Sequence, residues 1–168
     1  DNTLQGTSDW VELLATHEFR HVVQLDKVNT GFNRFLYYIF GNQVIAGINS
    51  IALPDWYLEG DATLMETVHS EGGRGRIPAF EREFKMNTLY NKPYTYNKQH
   101  LGSFKDFVPD EYRLGYFMTT SLRRQYGEEV WEKIELHAKR WPIVPFAFSN
   151  SIKKATGEYL VPSYKSLM

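Results

Sequence analysis

The sequence predicts a mainly α-helical protein, on three observations. Residues 10–25 carry apolar side chains at helical spacing, namely Val11, Leu14, Phe19, Val22 and Leu25. Pro54, Pro78 and Pro109–Asp110 each stand where a helix would open, and Gly127 stands where one would stop. No segment alternates apolar and polar residues for more than a few positions, so no strand is expected.

Asp9, with Glu12 three residues on, forms a capping-box pattern at the start of the first helix. Asn29-Thr30-Gly31 breaks that helix, and a second is expected over 32–48, weakened by Gly41 and Gly47. Pro54 suits a first helical position and opens a helix over 55–68. Gly72-Gly73-Arg74-Gly75 reads as a flexible loop, lacking the Gly-Lys-Ser/Thr ending of a phosphate-binding loop. Pro78 begins a helix over 78–89. Residues 90–108 are expected to form a long loop, a length often kept for function. A helix from Pro109–Asp110 to Tyr126 and two more, over 128–139 and 145–155, complete the set.

A chain of 168 residues fits one domain, and 42% hydrophobic with 23% charged residues excludes disordered and collagen-like chains. A net charge of −1 argues against a nucleic-acid partner. Without cysteine there is no disulfide framework, thiolate metal site or cysteine nucleophile. The high aromatic share, 15%, favours an aromatic-lined groove. The most apolar stretch, 32–53, contains Asn33, Arg34, Asn42, Gln43 and Asn49, and is too polar to span a membrane. Asp1 takes the place of an initiator Met with no signal segment behind it, so the chain is expected to be a processed piece of a longer protein.

The residues with the most chemistry are His17-Glu18-Phe19-Arg20-His21. Four residues apart on a helix, two imidazoles lie about 40° apart around the axis, with Cβ atoms roughly 6 Å apart. They can therefore offer ring nitrogens to one Zn²⁺ at about 2.0–2.1 Å. Glu18 stands beside the first histidine, where its carboxylate can take a proton from an attacking water and pass it to a leaving amine. A catalytic zinc needs a third protein ligand, and Glu59 in Pro54-Asp55-Trp56-Tyr57-Leu58-Glu59-Gly60-Asp61-Ala62 can supply it from a separate helix. Glu66, seven residues on, shares the face of Glu59 and can accept the second ring proton of a ligand histidine.

His17-Glu18-x-x-His21 followed by Trp56-x-x-Glu59-Gly60-x-Ala62 resembles the gluzincin metallopeptidases, in their M1-like and peptidase-MA-like branch. The resemblance implies a zincin-like helical catalytic domain, an active-site helix and a glutamate helix. It implies Zn²⁺ held by His17, His21 and Glu59, with Glu18 as general base, Glu66 supporting a ligand histidine, and a peptide or protein as substrate. Tyr112-Arg113-Leu114-Gly115 matches the family's Tyr-x-Lys-Gly element in its tyrosine and glycine but not its lysine. Tyr112 is thus the candidate oxyanion donor, with Tyr116 the fallback one turn later. Two departures stand out. The 37 residues between His21 and Glu59 exceed the usual linker, so the 32–48 helix is expected to fill the insertion and border the cleft. Only sixteen residues precede His17, so the β-lobe of such a cleft, or other domains, would belong to the parent chain upstream. A secreted or cell-envelope (periplasmic) setting is expected on the resemblance alone. The competing reading is a catalytically inactive helical scaffold or interaction module derived from a peptidase.

Other polar residues fall outside this set. Arg113 could meet a substrate carboxylate or form a surface ion pair. His69 and His100 read as non-ligands and His137 as solvated, while Arg123-Arg124 and Lys139-Arg140 read as helix-terminus cations.

Overall fold

The computed structural model describes residues 10–90, 93–140 and 144–168, and among these every regular element is a helix. The elements are α1 (Trp10–Asp26), α2 (Gly31–Phe40), α3 (Asn42–Ala52), α4 (Asp55–His69), α5 (Pro78–Tyr90), α6 (Tyr96–Leu101), α7 (Glu111–Tyr126), α8 (Val130–Arg140), α9 (Ala147–Thr156) and α10 (Leu160–Leu167), with a 3-10 turn at Arg74–Arg76. Asp9, and with it the expected capping box, lies outside the described residues.

α4 is the centre of the fold, packed between α1 and α7. Its two sides differ in kind. Trp56 and Tyr57, fully buried, pack edge-on and tilted against Trp131 of α8 and Phe148 of α9, and Leu114, Met118, Ile134 and Ile152 fill the core around them. Glu59 and Glu66 face α1 instead. α4 and α7 approach so closely that a Cβ on Gly60 would stand 2.1 Å from the carbonyl carbon of Gly115, and one on Gly115 would stand 1.8 Å from the Trp56 carbonyl oxygen. No side chain larger than hydrogen fits at this crossing.

α1 docks by its polar stripe. Leu13, His17 and Gln24 are its buried residues, whereas Val11, Phe19 and Val22 are each more than half exposed. The apolar row that marks this helix in the sequence therefore faces outward, because α4 offers carboxylates to its other side.

Several boundaries differ from expectation. The helix expected over 32–48 is two: Gly41, at φ +74°, ends α2 and turns the chain into α3, which runs on to Ala52. This pair packs against α1 and α8, and none of its residues lines the cavity beside His17, so it does not border that cleft. Pro54 lies just before α4 with extended ψ of 149°, not inside it. The loop expected over 90–108 contains α6, and α10 has no counterpart in the sequence reading. No helix of the described residues is long and apolar enough to cross a membrane.

Candidate metal centre

His17 and His21 project from one face of α1 onto α4, and Glu59 projects back from α4. The Nε2 atoms of the two histidines are 3.2 Å apart, and Glu59 Oε2 lies 3.1 Å from His17 Nε2 and 3.6 Å from His21 Nε2. Four-coordinate zinc with ligands at about 2.0–2.1 Å holds its donor atoms about 3.3 Å apart. The three atoms thus have the spacing and the nitrogen-and-oxygen chemistry that such an ion takes. Among the described residues this is the one group of three or more such side chains that could hold a metal.

The opposite ring nitrogens fix the tautomers. Gln24 donates its amide N–H groups to the Leu58 carbonyl (3.1 Å) and to Asp61 Oδ2 (3.0 Å), which turns its Oε1 toward His21 Nδ1 at 2.9 Å. His21 Nδ1 therefore carries the proton and Nε2 keeps its lone pair. His17 Nδ1 donates to Glu66 Oε2 at 3.2 Å, leaving Nε2 for the centre. Glu66 is held in turn by Arg74, whose Nε donates to Oε1 at 2.7 Å and Nη2 to Oε2 at 3.0 Å. Arg74 Nη2 also stands 2.8 Å from His17 Nδ1. With both nitrogens carrying hydrogens toward Oε2, that proximity is a shared acceptor and not a hydrogen bond between them.

Behind this layer lies Asp61, fully buried, which accepts from Arg20 Nε (2.6 Å), Arg123 Nη2 (3.0 Å) and Gln24. Arg123 stands in the last turn of α7, as expected, but is half-buried and spends its charge on Asp61 of α4. Lys139, in the last turn of α8, is buried and donates to the Gln24 carbonyl at 3.2 Å.

Burial depresses the His17 pKa, but hydrogen bonds to Glu59 and Glu66 outweigh it and raise the group to about 9 in the metal-free chain. His21 is raised, chiefly by Glu59. Burial opposes ionisation of Glu59 and Glu66, yet the histidines, and Arg74 at Glu66, hold both below the usual carboxylate range. Each of these carboxylates is therefore ionised at neutral pH, the form a metal ligand and its supporting acceptor need.

Glu18 is exposed on α1 and opens onto a cavity of about 250 Å³, shared with His17, Glu66, Arg74, Tyr112 and Trp10. Tyr112, half-buried at the start of α7, brings its ring centroid to 6.2 Å from that of His17, with the Arg74 guanidinium carbon 4.7 Å from the Tyr112 ring centroid. Burial and the Glu59 charge raise its phenol, keeping the O–H protonated and able to donate. Arg113 and Tyr116 lie outside this cavity. Arg113 joins Asp110, Glu83 (3.0 Å) and the Phe80 carbonyl (3.0 Å), and Tyr116 packs on Phe80 beside Gly75. His69 is exposed, His100 stacks on Tyr96, and His137 is not solvated but half-buried, with Nδ1 donating to Ser151 Oγ at 2.9 Å.

Gln24, Asp61 and Arg74 were not singled out by sequence reasoning. The first two had a signal: Gln24 falls three residues after His21 on the ligand face, and Asp61 sits two after Glu59 among small residues. Arg74 was masked by its glycine neighbours. No protein-family profile matches the chain, and no curated protein or solved structure matches it either.

Proposed function

We propose that this chain is the helical part of a zinc-dependent peptidase of gluzincin type, with a zincin-like arrangement of α1 as active-site helix and α4 as glutamate helix. The observation that carries the reading is the convergence of His17 Nε2, His21 Nε2 and Glu59 Oε2 within 3.1–3.6 Å, with the two histidines backed at Nδ1 by Glu66 and Gln24. His17, His21 and Glu59 would hold the ion. Zinc supplies polarisation of the scissile carbonyl and a water acidified toward a pKa of about 7.

The chain's own residues do the rest. Glu18, next to the ligand pair and open to the cavity, accepts the proton of the attacking water and delivers it to the departing amine. Tyr112 donates its phenolic O–H to the oxyanion that develops on the carbonyl, a contribution of about 3 kcal/mol for a well-placed donor. Glu66, clamped by Arg74, keeps the His17 ring from turning. The substrate is a peptide or protein laid along the cavity between α1 and α7.

Elemental analysis of the purified chain is expected to find stoichiometric zinc, lost in His21→Ala. Glu18→Gln is expected to retain the zinc while peptide hydrolysis falls by about 10²-fold or more. Hydrolysis undiminished in Glu18→Gln would remove Glu18 from the reaction, and a chain that takes no zinc would remove the reading itself.

A further inference from the structure

A second cavity, of about 740 Å³, opens between the end of α1, the α2–α3 pair and α8, away from His17. Its volume falls within the range of about 300–1,000 Å³ typical of small-molecule sites. Phe32 and Leu36 of α2, Ile48 of α3 and Leu136 of α8 form an apolar wall, and Lys27, Lys139 and Arg140 bring cations to it. Among the described residues no acidic side chain lines it.

Charge and hydrogen-bonding capacity narrow the occupant. Residues 27–54 include Lys27 and Arg34 but no Asp or Glu. Lys27 and Lys139 both face one carboxylate oxygen of Glu135, at 3.4 and 3.5 Å, so a single negative charge serves two ammonium groups and Arg140 adds a third cation. Of the two neutral polar side chains in the wall, Thr30 and Asn33, the second already donates to the Val28 and Lys139 carbonyls at 3.2 Å each. A peptide backbone laid here would find few partners for its N–H and C=O groups, whereas a hydrocarbon chain asks for none. The excess positive charge calls for an anionic end.

We propose that this cavity binds a long-chain fatty acid, its acyl chain against Phe32, Leu36, Ile48 and Leu136 and its carboxylate at Arg140 and Lys27. The pocket is separate from the metal centre, so it stands or falls independently of the peptidase reading.

Calorimetric titration of the full chain with palmitate, kept below its micelle concentration, tests this. One palmitate per chain is expected, with octanoate bound at least tenfold more weakly, since it has eight fewer methylenes to bury. Arg140→Glu, an exposed change, is expected to weaken palmitate about tenfold by reversing the charge at its carboxylate. Leu136→Glu, at a position 59% exposed and so tolerant of charge, is expected to weaken it by at least as much. Unchanged thermal unfolding of both variants shows that the fold is intact. The proposal is overturned if palmitate does not bind saturably, or if both variants bind it as tightly as the parent. It is also overturned if the chain associates with phosphatidylglycerol vesicles but not with free palmitate.

Discussion

His17 is gripped on both ring nitrogens by carboxylates two turns apart on α4, and this sets the pH response of the metal-free chain. Its folded pKa of about 9 exceeds the unfolded value of about 6.5. The stability it contributes is therefore present in full below about pH 6.5 and is lost as pH rises through about 9. Glu59 and Glu66 are shifted the other way, so their contribution is present above about pH 4.5 and is lost as pH falls below it. In chelator, melting by circular dichroism is expected to peak between about pH 5 and 6.5 and to drop by on the order of 5 °C by pH 9.5. Saturating zinc is expected to invert the slope above pH 6.5, because the metal takes His17 in its neutral form and competes with the proton. A metal-free melting temperature that stays level from pH 6 to 9.5 would contradict the paired-carboxylate account of His17.

At the scale of the helix, the α4–α7 crossing is the most demanding contact in the fold. Gly115→Ala would drive a methyl group into the Trp56 carbonyl, and the two helices must part to admit it. The expected cost is about 2–3 kcal/mol, read as a lower midpoint in urea at an unchanged slope; an unaffected midpoint would mean that the crossing yields freely. The same scale shows what was legible beforehand. The histidine pair of α1 and the glutamate pair of α4 could be read because a four-residue repeat and a seven-residue repeat each place side chains on one face whatever the surroundings. α6 and α10 could not. They have six and eight residues, too few to be marked by periodicity, and are held by distant contacts: Trp56 Nε1 donates to Tyr96 Oη at 2.8 Å, and Tyr164 Oη donates to the Tyr94 carbonyl at 2.9 Å. Arg123 and Lys139 do stand in the last turns of their helices, but their partners were hidden for a related reason, since Asp61 and the Gln24 carbonyl lie 62 and 115 residues away in the chain.

Across the whole molecule, the aromatic core on one side of α4 and the polar seam on the other meet at Asp61. This one carboxylate receives α1 through Arg20 and Gln24 and α7 through Arg123. Asp61→Asn would leave two half-buried guanidinium groups facing a neutral, fully buried amide, and a loss of about 3 kcal/mol is expected. In guanidinium titrations, zinc release and loss of helical ellipticity are expected to share one midpoint, and two separated midpoints would show that the seam opens by itself. Gln24, which orients His21, hangs from that same carboxylate. The proposed coordination sphere would thus inherit the cooperativity of the entire domain. On that reading, variation at Glu18 and Tyr112 would reshape what enters the mouth, while any drift in the seat of the ion would have to pass through a change that unfolds the protein.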